Sequence, residues 1–461
     1  MNSASHSPSS ARPLKVLIIG AGTGGCSLAH GLKRAGLEVQ VFERDRTRTG
    51  GLQGYRVGIS PMGSQALSEC LPPELFSTFV ATCARAPRYF NMLTEHLSEV
   101  LSFGEKEAPY LGSDDPVNSE KSVSRMTMRQ VLLTGLEEVV QFDKKFTHYE
   151  QHSNGTVTAF FEDGTSATGD VLVAADGTNS RVRQQYLPRA RLEDCGIVGI
   201  AGKVALNPQT KALLSSKILQ GVSMVFAPRG YNLILHVMEF KWDQNGVKAK
   251  VGTNDTNLLE HWPGLLYDNT RDYIMWAFSA ARQNFPSNPL NLEGEALVKL
   301  VKDMTPNWHP NLRQLLAFTD LSTVFPINIR TSVPLEPWPT SNVTLLGDAI
   351  HTMTPGRGVG ANTALRDAAL LCRQLLLAQK GEKPLLVALA EYESRMRHYG
   401  FEAVLKSLDQ MDGNGPLHKP VIGRILLSAM RGGMRVVNMV PALKRKAAAS
   451  MLYDRNEKEE S

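Results

Sequence analysis

Three glycines near the start of the chain have the spacing of a nucleotide-binding turn. Gly20, Gly22 and Gly25 form the pattern G-x-G-x-x-G, and Glu43 follows the next apolar run. Glycine permits a tight turn and lets backbone N–H groups approach a pyrophosphate at the positive end of a helix. A glutamate at the end of the following strand can accept hydrogen bonds from a ribose diol. The pattern therefore predicts a dinucleotide site, whose occupant is either NAD or FAD.

A second glycine-rich turn follows the apolar run VTLL late in the chain. It contains Gly347, Asp348, Pro355, Gly358, Gly360, Ala361 and Asn362. An acid at the end of a strand can bind a polyol, and a helix N-terminus can stabilise negative charge on a ring system. FAD has a ribitol and a flavin that becomes anionic on reduction, whereas NAD has neither. The two turns together favour non-covalently bound FAD that is held at both ends.

The elements that must position these residues follow from the hydrophobic periodicity. Residues 15–19 predict a buried parallel strand, 24–35 a helix and 39–42 a second strand, which together make a β-α-β unit. Residues 155–175 predict a hairpin that ends in the strand DVLVAAD. Residues 195–329 contain alternating or aromatic-rich runs, which are typical of a mostly antiparallel sheet.

The predicted fold class is therefore α/β. A Rossmann-type nucleotide-binding lobe is assembled from separate segments, a second lobe is a mostly antiparallel sheet that would bind the substrate, and the chain ends in a helical extension. The expected boundaries are 1–13 for a disordered tail, 14–85, 123–194 and 330–380 for the nucleotide-binding lobe, 86–122 for an insertion, 195–329 for the sheet lobe and 381–461 for the extension.

Size, charge and cysteine content limit the classes of function. A length of 461 residues with 42% hydrophobic and 21% charged residues is typical of a globular protein with more than one lobe. The net charge of +5 and the scattered basic residues argue against nucleic acid as a partner. Five widely spaced cysteines without a C-x-x-C pair indicate neither a disulfide framework nor a metal site. A cytoplasmic protein without a membrane span is expected.

Three segments in order resemble a known enzyme family. GAGTGG with Glu43, AADGTNSRVR at 174–183 and GDAIHTMTPGRGVGAN at 347–362 are similar to motifs of the single-component FAD-dependent aromatic monooxygenases, the p-hydroxybenzoate hydroxylase-like or group A class. The resemblance implies that NADPH or NADH reduces the flavin, that O₂ then forms a C4a-hydroperoxide, and that one oxygen atom is transferred to the substrate. It implies hydroxylation or epoxidation of an apolar or aromatic small molecule, in a context such as specialised-metabolite biosynthesis.

The resemblance also implies roles for residues outside the two turns. Asp176 and Gly177 correspond to the family's DG motif, which contacts both FAD and NAD(P)H, and Arg183 closes that loop. The segment SRMTMRQVL resembles the family's arginine-containing helix near the FAD diphosphate, with Arg125 as the better match and Arg129 as the second.

Within the second turn, the resemblance implies that Asp348 contacts the ribitol and that Gly360, Ala361 and Asn362 lie along the flavin. The family often has glutamine or glutamate where this chain has Val359. Further along the same helix, Arg366 and Asp367 are expected to form an exposed, charged flank.

The substrate side has weaker candidates. His351, Arg357 and Tyr231 could face the substrate, although a loop histidine, a surface arginine and a strand tyrosine usually have structural explanations. Apolar strand residues could form the wall of a cavity, although alternate members of each strand must face away from it. These residues are Met224, Phe226, Leu233, Leu235, Met275, Trp276 and Phe278.

The C-terminal segment KPVIGRILLSAMRGGMRVVNMVPALKRKAAASM mixes apolar and basic residues. A helical extension packed on the nucleotide-binding lobe is the favoured interpretation, and a basic amphipathic element at a membrane surface is the alternative. Two other functions are also compatible with the sequence. An FAD-dependent reductase or dehydrogenase would use the same scaffold without oxygen insertion, and a non-catalytic binding protein would keep only the dinucleotide fold.

Overall fold

The computed structural model describes residues 12–48, 56–109, 111–113, 115–240, 242–243, 246–247 and 272–455. Most of the expected N-terminal tail lies outside these residues. Arg12, however, is held by Asp170, which accepts hydrogen bonds from both terminal guanidinium nitrogens at 2.9 and 2.6 Å. The described residues therefore include the last two positions of the expected tail.

Nineteen strands are present among the described residues. They are β1 (Lys15–Ile19), β2 (Glu38–Phe42), β3 (Arg56–Ile59), β4 (Tyr89–Leu93), β5 (Glu99–Gly104), β6 (Lys121–Ser124), β7 (Val140–Gln141), β8 (Phe146–Gln151), β9 (Val157–Phe161), β10 (Ser166–Gly169), β11 (Val171–Ala174), β12 (Leu192–Ala205), β13 (Gly221–Ala227), β14 (Tyr231–Met238), β15 (Trp242–Asp243), β16 (Gly246–Val247), β17 (Tyr273–Ala281), β18 (Thr319–Ser332) and β19 (Val343–Leu345).

Helices in the same part of the chain pack on these strands. They are α1 (Thr23–Arg34), α2 (Pro61–Cys70), α3 (Pro73–Ala81), α4 (Arg125–Leu133), α5 (Arg181–Tyr186), α6 (Pro208–Lys211), α7 (Ser216–Leu219), α8 (Gly294–Met304), α9 (Pro310–Ala317), α10 (Asp348–His351), α11 (Gly360–Gln379), α12 (Leu385–Gln410), α13 (Ile422–Met439) and α14 (Pro441–Arg455).

The first lobe is built on a five-stranded parallel sheet with the order β19-β11-β1-β2-β7. Helices α1, α2 and α11 pack together, and the separate three-stranded sheet β8–β10 contacts β1 and β11. The rings of Phe42 and Phe161 lie 4.5 Å apart where the two sheets meet. Because its strands come from distant parts of the chain, this lobe is discontinuous, as the sequence predicts.

The second lobe is a seven-stranded sheet with the order β18-β12-β17-β14-β13-β4-β5. All its pairs are antiparallel except β13 with β4. Helices α8 and α9 cover one face, where Leu297, Leu312 and Leu315 pack in the apolar core of this lobe. The mostly antiparallel second lobe is confirmed.

The expected insertion at 86–122 is wrong in one respect, because β4 and β5 lie in this segment and complete the seven-stranded sheet. β4 and β5 form a local hairpin, but the pairing that joins this hairpin to the rest of the sheet is that of β4 with β13, which is far away in sequence. A short ribbon of β3 and β6 also uses this segment. Ala84 makes isolated bridges to both Ser122 of the ribbon and Phe240 after β14, so the ribbon joins the two lobes.

The C-terminal extension is helical, but only part of it packs as expected. Helix α12 packs on α11 of the nucleotide-binding lobe. Helix α13 instead packs on β5, the edge strand of the seven-stranded sheet, because Met434 and Val437 contact the apolar cluster of Leu101 and Phe103. None of the helices in the described ranges has both the length and the apolar character that crossing a bilayer needs.

Candidate functional site

The first turn has a shape that only glycine permits. Gly20 has φ +107°, and a Cβ there would lie 2.4 Å from the carbonyl oxygen of Ala175. A Cβ on Gly25 would lie 2.2 Å from the carbonyl oxygen of Gly20. Gly22 precedes α1 without a side-chain cap, and a Cβ there would contact no atom within 4 Å. The first amides of α1 are therefore accessible to a ligand beside Gly22.

Glu43 follows β2 and lies next to this turn. Its Oε2 accepts a hydrogen bond from the N–H of Ala21 at 2.8 Å, and its Oε1 accepts one from the N–H of Asp45 at 3.0 Å. Arg129 makes ion pairs with both acids, at 3.7 Å to Glu43 and 2.8 Å to Asp45. Because a carboxylate has about four acceptor sites, Glu43 can still bind a ribose hydroxyl.

The two arginines of α4 have different surroundings. Arg129 has a side chain that is only 16% exposed, and it compensates the charge of Glu43. Arg125 begins α4, is exposed, and its charge acts on Asp348 in the second turn. Of the two matches to the family's arginine helix, Arg125 is thus the one that can reach a negatively charged ligand near the second turn.

The loop after β11 is braced from behind by a buried arginine. Gly177 has φ +77°, and Asp176 Oδ2 accepts a hydrogen bond from the N–H of Arg181 at 2.9 Å. Arg183 is buried and donates to the carbonyl of Thr178 at 2.9 Å and to that of Ala349 at 2.8 Å. Arg183 therefore fixes this loop to the second turn, which is a bracing role.

Burial also affects the acid of this loop. Loss of solvent raises the pKa of Asp176, although hydrogen bonds from nearby groups oppose that rise. Its Oδ1 is buried and has no hydrogen-bond partner among the described residues. An acceptor atom without a partner next to a nucleotide-binding edge can receive a hydrogen bond from a ligand.

The second turn begins where β19 ends. Gly347 has φ +60°, and a Cβ there would lie 3.0 Å from the Cβ of Ala364. Asp348 is an exposed residue, but atoms of the chain packed around it displace part of the solvent from its carboxyl group. Loss of solvent raises the pKa of its carboxyl group, and the charges of His351 and Arg125 oppose that rise.

A fully buried carboxylate holds the second turn, and the sequence does not predict it. Asp367, expected on an exposed flank, is 0% exposed. It accepts hydrogen bonds from the N–H of Gly347 at 2.7 Å, from His351 Nε2 at 2.7 Å and from the Tyr399 hydroxyl at 2.5 Å. Arg366 lies over the ring of Tyr399, 3.9 Å from its centre. The prediction that Arg366 and Asp367 form an exposed flank is wrong, because α11 packs against α1, α2 and α12.

His351 is a member of this buried network and is also 0% exposed. Burial lowers the pKa of His351, but the charge and the hydrogen bond of Asp367 outweigh it and raise the pKa above the usual value. His351 is therefore placed to hold the turn rather than to contact a substrate. Arg357 lies in the short 3₁₀ turn Pro355–Arg357, which packs against α12.

Helix α11 presents its N-terminus next to the same turn. Pro355 and Gly358 precede it on exposed backbone, Gly358 has φ +64°, and no described side chain caps the helix. Asn362 is buried, accepts a hydrogen bond from the N–H of Ser60 at 2.8 Å and donates to the carbonyl of Gly58 at 2.9 Å. Asn362 thus fixes the start of α11 against the end of β3, which leaves its first-turn amides for a ligand.

Both turns lie at one edge of the parallel sheet. β19, β11 and β1 are adjacent and parallel, so their carboxyl ends are at the same edge. The two turns follow β1 and β19, which are separated by β11 alone, about 10 Å apart at the usual strand spacing. One extended ligand can therefore contact both turns.

Comparisons with known proteins agree with this geometry. Residues 18–63 match the NAD(P)-binding Rossmann-like domain family, and residues 303–406 match the FAD binding domain family. A solved structure described as an FAD-containing monooxygenase from Photorhabdus luminescens subsp. laumondii is 33% identical, with a TM-score of 0.73, over 87% of this chain and 98% of that one. The chain belongs to the group A FAD-dependent monooxygenases.

Two fungal relatives support this membership. The dual O-methyltransferase/FAD-dependent monooxygenase CTB3 of Cercospora beticola is 32% identical over 412 residues, which are 86% of this chain and 45% of that protein. The FAD-dependent monooxygenase cctM of Talaromyces islandicus is 29% identical over 401 residues, which are 85% of this chain and 91% of that protein. The chain thus spans about half the length of CTB3.

The residues of the two turns fit FAD. The family matches support FAD as the cofactor and agree with NAD(P)H as the co-substrate. The open space at Gly22 suits a phosphate, the exposed acid Asp348 suits a polyol, and the uncapped start of α11 suits a ring that gains negative charge. The donors and acceptors present are thus those that the cofactor requires.

The seven-stranded sheet separates the expected cavity residues into two faces. Leu233, Leu235, Trp276 and Phe278 belong to the core beneath α8 and α9, and Tyr231 packs there with its ring 5.4 Å from that of Phe278. The prediction that Tyr231 contacts the substrate is therefore wrong, because its side chain lies on the face of the sheet that α8 and α9 cover. The half-buried Met224, Phe226 and Met275 occupy the alternate positions, on the opposite face. We name this opposite face the inner face.

The inner face also contains a polar cluster that the sequence pattern does not predict. His236 of β14 and Tyr273 of β17 are buried and lie diagonally across the two paired strands, and Ser124 of the ribbon lies beside the Tyr273 hydroxyl. His236 Nδ1, the Tyr273 hydroxyl and the Ser124 hydroxyl have no hydrogen bond of proper geometry among the described residues. Arg56 donates to Ser122 at 3.1 Å and lies 3.8 Å from Glu120.

Burial and charge act together on this cluster. Loss of solvent lowers the pKa of His236 well below its usual value, and the charge of Arg56 acts in the same direction. His236 is therefore neutral at physiological pH. Its position within the apolar run YNLILHVM is the only signal in the sequence, and a histidine in such a run is more often a core residue.

Proposed function

We propose that the chain is an FAD-dependent monooxygenase that uses NADPH or NADH and O₂ to hydroxylate or epoxidise an apolar or aromatic small molecule. The observation that carries this proposal is the shared edge of the parallel sheet, where a phosphate-binding turn and an acid-bearing turn follow neighbouring strands. Together with membership of the family, that edge supports FAD rather than NAD as the resident nucleotide.

Each end of the cofactor has its own set of residues in this proposal. The amides beside Gly22 bind the pyrophosphate, and Glu43 accepts from the ribose of the adenosine. Asp348 binds the ribitol, Arg125 lies near the phosphates, and the N-terminus of α11 stabilises negative charge on the ring. When bound, FAD supplies the oxidation and oxygen chemistry.

The inner face of the seven-stranded sheet is the proposed wall of the substrate site. Met224, Phe226 and Met275 offer apolar surface for an aromatic or apolar substrate. The buried polar atoms of His236 and Tyr273 can orient one polar group of that substrate, because neither atom has a hydrogen bond of proper geometry to another described residue. The same apolar face excludes water from the reacting atoms.

Two further features define the proposed setting. O-methylation acts on hydroxyl groups, so the pairing of an O-methyltransferase with a monooxygenase in the name of the Cercospora relative supports a role in tailoring specialised metabolites. Cys26, Cys70, Cys195 and Cys372 form no disulfide, which supports a reducing compartment such as the cytoplasm. Nucleic acid is not a proposed partner.

Isotope incorporation tests the reaction. The purified chain should be yellow, and a panel of hydroxylated aromatics and polyenes should include compounds that accelerate its NADPH or NADH oxidation in air. With ¹⁸O₂, the product of such a compound should contain one ¹⁸O atom. A reduced or dehydrogenated product without ¹⁸O would contradict oxygen insertion and identify a reductase or dehydrogenase. A folded, colourless protein that takes up no FAD would identify a binding protein instead.

A further inference from the structure

Helix α13 exposes an unusual amount of apolar surface. The exposed apolar residues of this helix and its ends are Val421 (71%), Ile422 (51%), Ile425 (65%), Leu426 (39%), Val436 (49%), Met439 (73%) and Val440 (39%). Single exposed apolar side chains are common on proteins, but a contiguous stripe of them marks a surface that another body covers.

The stripe lies opposite the side that the fold uses. Met434 and Val437 face inward and pack on the sheet lobe, and Leu427 is buried on the same side of the helix. Ile425 and Val436 lie on the opposite side of the helix, because residues at i, i+3, i+4 and i+11 share one face at 3.6 residues per turn. A surface helix needs one apolar face to fold, so this second one is not explained by the packing of the residues that the structure describes. We name it the outer face of α13.

The charged residues of the segment that contains the outer face all have one sign. From residue 413 to residue 453 the chain contains no aspartate or glutamate, while it contains seven basic residues. Arg431 and Lys444 are used internally, since they pair with Glu95 and Glu107 of the sheet lobe. The other five are exposed: Lys419, Arg424, Arg435, Arg445 and Lys446.

We propose that the outer face of α13 binds to an anionic membrane surface. Apolar side chains such as Ile425 would enter the boundary between headgroups and acyl chains, while Arg424 and Arg435 bind lipid phosphates. A second copy of the chain fits this surface less well, because self-association would bring two sets of exposed cations together. The helix lies on the surface and does not cross it, which agrees with its length and charge.

Vesicle binding by the full-length protein tests this proposal. Co-sedimentation should be at least about tenfold stronger with vesicles of phosphatidylcholine and phosphatidylglycerol than with phosphatidylcholine alone, and salt should weaken it. The double variant Ile425→Glu/Val436→Glu should lose this binding. The control Leu321→Glu changes a residue of β18 that is 44% exposed, and it should bind like the parent protein.

Folding of the variants can be followed separately, because all three altered side chains are exposed and their melting temperatures should equal that of the parent. Absence of vesicle binding by the parent would overturn the proposal. Equal binding by the double variant would overturn it as well. A parent dimer that Ile425→Glu/Val436→Glu converts to a monomer, without any vesicle binding, would assign the outer face to a second copy instead.

Discussion

The two glycine turns present a ligand with similar backbone geometry, but they are held in different ways. The first turn is fixed by close backbone contacts at Gly20 and Gly25, which leave no room for a Cβ at these two positions. The second turn, at Gly347, is fixed by side chains of three helices that meet at Asp367. The first turn therefore depends on the absence of side chains, and the second depends on a buried polar network.

This difference determines what each turn is sensitive to. Backbone contacts do not titrate, whereas a buried carboxylate that pairs with a histidine has a protonation state that matters for stability. Substitutions far from the ligand can weaken the second turn, because Tyr399 of α12 is part of its support. The first turn should respond mainly to changes within the turn itself and at Glu43, which accepts a hydrogen bond from the N–H of Ala21.

The largest effect is expected for Asp367→Ala. It removes the acceptor shared by Gly347, His351 and Tyr399 in a site without solvent, and breaking a buried pair in this way costs about 3–5 kcal/mol. Urea unfolding with and without FAD measures the loss. Asp367→Asn is the matched control, because it keeps the shape of the side chain, and it should lose less stability than Asp367→Ala. An Asp367→Ala protein as stable as the parent would contradict the role given to the network.

The next effect is expected for Gly25→Ala in the first turn. A Cβ there overlaps the carbonyl oxygen of Gly20 at 2.2 Å, so the turn must open, and FAD affinity should fall by about a hundredfold or more, which corresponds to ~2.7 kcal/mol. Fluorescence titration with FAD measures this change. Gly432→Ala on α13, where a Cβ contacts nothing within 4 Å, should leave the affinity unchanged. Equal affinities for the two variants would be incompatible with the proposed turn.

A smaller effect is expected from pH, at the second turn only. The folded pKa of His351 is raised, so its contribution to stability is complete below about pH 6.5 and is lost as the pH rises through the folded pKa. FAD affinity should therefore decline severalfold with rising pH in that window, and His351→Gln should flatten the profile. ADP, which needs only the first turn, should bind equally across it. A parallel decline for ADP would remove the distinction between the turns.

The smallest effect is expected for Tyr231→Phe. The ring stays in the core beneath α8 and α9, so kcat and KM should both stay within about twofold of the parent values, which is below 0.5 kcal/mol. His236→Ala on the inner face should instead raise KM, because the polar contact to the substrate is lost. Steady-state kinetics with any substrate from the screen checks both. A loss of activity in Tyr231→Phe alone would contradict the assignment of the two faces.

Much of the nucleotide-binding lobe could be predicted because its signals are local. The strand, the turn and the helix around Gly20 are continuous in sequence, and an apolar strand that ends in Gly347-Asp348 has the same character. The β-α-β unit, the discontinuous lobe and the antiparallel second sheet are accordingly as predicted.

The remaining features depend on contacts between distant segments. The sequence does not predict that the β4–β5 hairpin belongs to the second sheet, because the pairing of β4 with β13 joins segments that are far apart in the chain. The sequence predicts an exposed flank at Asp367 because two adjacent charged residues, Arg366 and Asp367, are typical of a solvent-facing side of a helix. Instead, α11 packs between three other helices, and this packing buries Asp367. The alternation of Tyr231 with its neighbours defines two faces, but the position of α8 and α9 decides which face is covered.

The central claim is that one FAD molecule contacts both turns, and binding of FAD and ADP to two variants tests it most directly. Gly22→Ala fills the open space beside α1, so it should weaken both ligands at least about tenfold, or 1.4 kcal/mol. Asp348→Asn should weaken FAD similarly and leave ADP unchanged, because ADP lacks the ribitol and the flavin. FAD affinity that is unaffected by Asp348→Asn in a protein that is still sensitive to Gly22→Ala would contradict the claim.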